Sequence, residues 1–231
     1  MQKHTPMVKY HPDARFLTDY AAGCLPASQA LCVATHLHYC PLCRLKIGEL
    51  TELGAELFMQ QQPVEVEKAA LEKLLARIQA SPQSPISPVQ AEPSVSILPK
   101  AVNKLTSGNL ERLNWRRIGS NFRVSRLNVG DKQRDTSLFC IKAGGHVPHH
   151  QHKGDEITVI LKGSFSDHEG KYEVGDFIVR TNGETHKPVA SQDQDCLCLS
   201  ALDAPIVLSN WLLRFGLYLF NLGTPSHQSA A

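Results

Sequence analysis

The stretch Ser81–Pro99, "SPQSPISPVQAEPSVSILP", constrains the fold of this chain more than any other. It holds five prolines and five serines in nineteen residues. Proline fixes φ, lacks an N–H and pushes the residue before it out of the helical region, so no helix propagates through such a segment. What remains is an extended spacer. The 231 residues are therefore predicted to form two parts, 1–80 and 100–231, joined by a linker at 81–99. A linker of this kind implies halves that fold separately.

Before the linker, apolar residues recur with a helical period. Leu50, Leu53 and Leu57 follow the i, i+3, i+7 rule, and Leu42 and Leu45 extend that side. Val66, Ala70, Leu74 and Ile78 share another face, with Glu67, Lys68, Glu72 and Lys73 around the rest. Pro26 and Pro41 suit first turns. Four helices are predicted, over about 13–22, 26–38, 41–60 and 64–79. After the linker the period becomes two. "EITVILKGSFSD" alternates, "HEG" turns, "KYEVGDFIVR" returns, and "CLCLSAL" is another β-like run. Many short strands with Gly and Asn turns point to an antiparallel sandwich or barrel, so the fold class is α+β in two domains.

Composition excludes several roles. A net charge of +2 gives no drive toward nucleic acid or acidic membranes. Seven Arg/Lys between Arg112 and Arg134 read as solvated strand and loop positions. The N-terminal "MQKHTPMVKYHPDARF" has no apolar signal core. The most apolar stretch, Pro205–Phe220, is interrupted by Asn210 and Arg214 and falls short of the roughly 20 residues of a spanning helix. A cytoplasmic location follows as the expectation. The seven cysteines are odd in number and include a Cys-x-x-Cys beside a histidine, which favours reduced, metal-binding thiols.

That pair belongs to "HLHYCPLC", where His36-x3-Cys40-x2-Cys43 offers one imidazole and two thiols within eight residues. Zinc takes such ligands and closes a structural site with four of them. Pro41 is predicted to break the helix just after Cys40, so the three donors straddle a tight corner. The fourth donor must come from elsewhere. Cys32 lies one turn before His36, but about 16 Å of helix axis separates it from Cys43. A donor from another helix suits better, and His11, just before the first predicted helix, can fold back. Cys24 and Cys32 are expected to be small buried residues, and His38 to point to another side.

A second cluster, "GHVPHHQHKGDE", packs four histidines and two acids into twelve residues. His150, His152 and Glu156 share one face if the segment is extended. "EVGDFIVRTNGETH" supplies His186 from a second strand. Three imidazoles and a carboxylate suit Zn, Mn, Fe or Ni, and ligand type alone does not choose among them. His146 and His149 are expected in a polar loop, and His168 exposed in a hairpin turn.

The run "HPDARFLTDYAAGCLPASQALCVATHLHYCPLC" resembles the zinc-binding anti-sigma domain of the ChrR family. By position the resemblance implies His11, His36, Cys40 and Cys43 as zinc ligands. The spacing Gly144-x5-His150-x-His152-x3-Glu156-x6-Gly163, then Gly175-x7-Gly183-x2-His186, resembles the two motifs of the cupin superfamily. Thr181 stands where cupins often have proline and Val189 where asparagine is common; the ligands are intact. The implied second domain is a cupin-like double-stranded β-helix barrel holding a metal through His150, His152, Glu156 and His186. The order of zinc domain, linker and cupin is that of ChrR. It implies an anti-sigma factor, not an enzyme. Such a protein clamps an extracytoplasmic-function sigma factor and releases it under singlet oxygen or related oxidants, with no direct contact to nucleic acid or membrane. The alternatives are a metal-dependent, dioxygenase-like cupin enzyme with a zinc docking module, or a ligand-binding regulator of another partner. Catalysis would require an open coordination position and an enclosed apolar pocket.

Overall fold

The computed structural model describes residues 8–81, 98–204 and 207–208. Four helices come first. α1 (Ala14–Ala21) starts where the Asp13 side chain accepts the Phe16 N–H at 2.9 Å. α2 (Ala27–Tyr39) follows Pro26, and α3 (Pro41–Met59) begins at a proline. Cys40 between them is extended, with φ −104° and ψ 103°, so the predicted corner forms there. α4 (Ala70–Ala80) starts six residues later than the predicted 64. Val64 and Val66 are β-branched and exposed, and the first turn closes only where Ala70 N–H reaches the Glu67 carbonyl at 2.8 Å.

Among the described residues after the linker come α5 (Lys100–Leu105) and a single 3-10 turn, then twelve short strands. These are β1 (Arg116–Ile118), β2 (Phe122–Leu127), β3 (Asp135–Ile141), β4 (His150–Gln151), β5 (Glu156–Lys162) and β6 (Ser164–Ser166). Then follow β7 (Lys171–Glu173), β8 (Phe177–Arg180), β9 (Thr185–His186), β10 (Val189–Ala190), β11 (Cys196–Leu202) and β12 (Val207–Leu208). All pairings between them are antiparallel: a six-stranded sheet in the order β1-β2-β3-β11-β5-β8, and two three-stranded sheets, β10-β6-β7 and β12-β4-β9. The predicted α+β class, helices followed by an antiparallel β domain, is the observed one. Apart from β12, the apolar run 205–220 lies outside the described residues. Among those residues no helix is long and apolar enough to cross a membrane.

The central strands explain where the core sits. β5 and β11 are buried on both faces over nearly their whole length. Their inner face joins Ile160, Cys196 and Cys198 to Phe122, Ile141, Phe165 and Tyr172. Their outer face joins Ile157, Val159, Leu161 and Leu199 to Leu31, Cys32 and Val33 of α2. Burying each large aliphatic side chain contributes about 1.5–3 kcal/mol. The helical region and the β domain thus share one apolar core, a packing that the composition of the linker does not announce.

Gly163 joins β5 to β6 with φ +71°, and a Cβ there would lie 2.5 Å from the Asp195 carbonyl oxygen. Backbone strain of this kind costs about 1–3 kcal/mol before the clash is added. Gly163→Ala is therefore expected to lower the melting temperature by several degrees, about 4–8 °C per kcal/mol for a small domain and less for a larger one. An unchanged melting curve would show that the turn rearranges freely.

Candidate metal centres

The corner between α2 and α3 builds the first centre. Its sharp turn brings Cys40 and Cys43 together, and the Cys43 N–H donates to Cys40 Sγ at 3.4 Å. His36 arrives from the buried side of α2. His11 is delivered by the chain before α1, which is pinned to the β domain. The N–H groups of Lys9 and Tyr10 donate to Asp176 Oδ1 at 2.8 and 3.1 Å, and Phe177 N–H donates to the Tyr10 carbonyl at 2.9 Å. His11 Nδ1 then lies 3.4 Å from Cys40 Sγ and 3.5 Å from Cys43 Sγ, with all four donor atoms within 4.8 Å of one another. Donors sharing one tetrahedral ion at about 2.0–2.3 Å sit about 3.3–3.8 Å apart, so the set fits zinc.

The state of His36 supports that fit. Its Nδ1 is 2.7 Å from the Gly175 carbonyl oxygen, which as an acceptor places the proton on Nδ1. Its Nε2 is buried without a hydrogen-bond partner. A buried lone pair with no donor is costly, and a metal ion satisfies it. Burial pushes the His36 pKa down to about 4, with His11 adding to it against the Gly175 and Asp176 contributions, so the ring is neutral at physiological pH. Burial, then Cys40, pushes the Cys43 thiol up to about 12, so an ion arriving here displaces a proton. Cys32 is buried under the sheet, as expected of a small packed residue; Cys24 is exposed, contrary to expectation, because it lies in the turn after α1.

The second centre sits at the end of the β domain. β4 pairs with β9 so that His150 lies opposite His186. His152 follows β4, its N–H held by the Glu184 carbonyl at 3.1 Å, and Glu156 opens β5. All four are buried, with donor atoms within 4.8 Å of one another. His186 Nε2 is 2.9 Å from His150 Nε2 and 3.1 Å from His152 Nε2, and His152 Nε2 is 3.4 Å from Glu156 Oε2. The outward nitrogens have acceptors: His150 Nδ1 is 2.9 Å from the Pro148 carbonyl and His186 Nδ1 is 3.1 Å from Asp167 Oδ2. Lone pairs of buried rings therefore converge on one point, the arrangement a cation resolves. Burial, then His186, pushes the His150 pKa down to about 4. Burial also pushes the Glu156 carboxyl up, but the three imidazoles and the Ser200 hydroxyl outweigh it and hold it below the ordinary value. Ser200 and Thr158 both donate to Glu156 Oε1, at 2.9 and 3.2 Å, leaving Oε2 toward the imidazoles.

Beside the second centre lies an apolar cavity of about 50 Å³, walled by Phe122, Phe139, Val147, Phe165 and Cys198. That is room for a few water-sized molecules, against the roughly 300–1,000 Å³ of a metabolite site. His146, His149 and His168 are exposed, as their loop positions suggested. Sequence reasoning named Gly175 only as a motif position and missed its support of His36, as it missed the supporting groups Asp167 and Arg180. Each acts through a long-range hydrogen bond that leaves no trace in spacing.

The family described as "ChrR Cupin-like domain" matches residues 104–204. The anti-sigma-E factor ChrR of Cereibacter sphaeroides is 33% identical over 205 residues, which is 89% of this chain and 94% of that protein. The crystal structure of Rhodobacter sphaeroides SigE in complex with the anti-sigma ChrR superposes with a TM-score of 0.71 at 31% identity, covering 84% of this chain and 99% of the matched one. At 33% identity over almost the whole relative, and with a matching fold, this chain belongs to the ChrR family.

Proposed function

We propose that the protein is an anti-sigma factor: it sequesters an extracytoplasmic-function sigma factor and releases it under oxidative stress, from singlet oxygen or a related oxidant. The observation that carries the reading is a pair of apolar helix faces that the described residues leave bare. α3 turns Ile47 and Leu50 toward the core but leaves Leu53 and Leu57 about half exposed, at 52% and 53%. α4 buries no residue at all, and Leu71, Leu74, Leu75 and Ile78 stand in solvent. The periodicity that marked these helices reflects a surface awaiting a partner rather than an internal core. In its crystal structure the relative ChrR is in complex with SigE, and a sigma factor is the partner we assign to these faces.

In this reading residues 1–80 are the clamp and residues 100–231 the regulator. His11, His36, Cys40 and Cys43 hold a structural zinc that fixes the angle between α2 and α3, and with it the docking face. His150, His152, Glu156 and His186 hold a transition metal beside a cavity sized for a small oxidant, with the Cys198 thiol in its wall. The small cavity favours sensing over turnover. The location is the cytoplasm, where the sigma factor meets RNA polymerase.

The test is a sigma-dependent transcription assay with purified full-length chain. Native protein should inhibit. Leu53→Asp with Leu57→Asp should weaken inhibition by at least about 30-fold, the loss of one central interface anchor at about 2 kcal/mol. The pair is exposed, so folding is unaffected. Undiminished inhibition would remove α3 from the interface.

A further inference from the structure

The segment that runs from β7 in one sheet to β8 in another bonds a ligand of the first metal centre and reaches a ligand of the second through Asp167. Its turn reaches the first one: the Gly175 carbonyl orients His36, and Asp176 holds the backbone that carries His11. Its strands reach the second. Arg180 of β8 donates from Nη2 to Asp167 Oδ2 at 2.8 Å, and that same oxygen faces His186 Nδ1. Arg180 also donates to the Tyr172 hydroxyl of β7 at 2.7 Å and pairs with Glu169. The Tyr172 ring packs 4.8 Å from that of Tyr10, the neighbour of His11.

We infer that this strand–turn–strand segment, residues 171–180, mechanically couples the two centres, so that the occupancy of the second sets the lability of the first. The inference rests on the reading that both clusters hold metal. The connection is stiff. The Asp167 side chain is fully buried, and those of Arg180 and Tyr172 nearly so. Close-packed groups pass a displacement on, where a solvated chain absorbs it. The turn lies close against α2: at Gly175, φ is +93° and a Cβ would stand 2.7 Å from Tyr39 Cβ and 2.8 Å from Val8 Cγ2. Only glycine lets the carbonyl approach His36 this way. A shift of His186 is felt at Asp167, moves Arg180, and through Tyr172 and the turn reaches both histidines of the zinc cluster. Asp167, Arg180 and Tyr172 are positioning residues; none is a ligand.

Cobalt(II) provides the readout, because only the cluster containing Cys40 and Cys43 gives a thiolate-to-cobalt absorption. The full-length chain is loaded with cobalt and challenged with excess chelator, and the decay of that band is timed. Four proteins form a cycle: native, His150→Ala, Tyr172→Phe and the double variant. In the native background His150→Ala should speed the decay at least about fivefold, the lower end of ordinary coupling between sites. In the Tyr172→Phe background the same change should alter it by less than about twofold, the limit of additivity for uncoupled positions. Tyr10→Ala, at a partly exposed ring, should collapse the ratio likewise, and decides alone if Tyr172→Phe does not fold. The same fivefold ratio in the variant backgrounds overturns the coupling, as does an inert His150→Ala. Metal counting separates the two ideas. Fewer than two metals per native chain overturns the metal reading and the coupling with it; two metals with an unchanged ratio overturn the coupling alone.

Discussion

Cys40→Ser in the full-length chain is expected to free the sigma factor without any stress, raising an unstressed sigma-driven reporter by more than about tenfold. Cys40 has two tasks: its Sγ faces His11 Nδ1, and the same sulfur caps α3 by accepting the Cys43 N–H. A serine oxygen still caps a helix well, so the substitution removes the metal ligand and largely spares the cap. Structural zinc in small domains is worth about 10–16 kcal/mol of folding free energy, enough to decide whether the corner exists. Elemental analysis should show one metal fewer per chain. A Cys40→Ser, Cys43→Ser double variant that retains full zinc would sink the ligand assignment.

Glu156→Ala should act in the opposite sense. The carboxylate is almost fully buried and accepts from Ser200 and Thr158, whose hydroxyls lie in contact, so that after its loss one can turn to donate to the other. Removal should weaken metal binding by more than the roughly 10–100-fold that loss of a mere supporting group costs. The proposed zinc cluster keeps all four donors, and a fivefold gain in its lability is about 1 kcal/mol, far too little to empty it. Unstressed reporter expression should thus stay low, as with His150→Ala, while induction by singlet oxygen falls severalfold. If the Glu156 and Cys40 variants both gave high unstressed expression, the β domain would be part of the clamp and the division between sensor and inhibitor would fail.

The donors that a local stretch carries were legible in the sequence. His36, Cys40 and Cys43 lie within eight residues around a proline, and His150, His152 and Glu156 follow strand alternation. His11 and His186 come from distant segments. Residue reasoning gave only their plausibility, the resemblance gave their positions, and the structure brings them to the same points. The helical period located α3 but said nothing of what covers it, because periodicity measures a face and not its partner. The delayed start of α4 fits the lower helix propensity of β-branched Val64 and Val66, a local effect that the apolar period masks. The burial of β5 on both faces, and the grip of Asp176 on residues 9 and 10, come from contacts some 120 to 170 positions apart, beyond any spacing rule.

The bare face of α4 has one further consequence. Ten residues, 60–69, connect it to α3, a tether with a root-mean-square reach of about 17 Å if flexible. Once α3 has docked, α4 meets the same partner as an intramolecular event, at an effective concentration in the millimolar range. In the proposed complex the grip is then bivalent, and its affinity is the product of two modest affinities and that effective concentration. Tilting the α2–α3 corner by an amount that spoils only one foothold would cut residence time by orders of magnitude while the other is still engaged. Sigma factor could leave quickly from a protein that has barely moved.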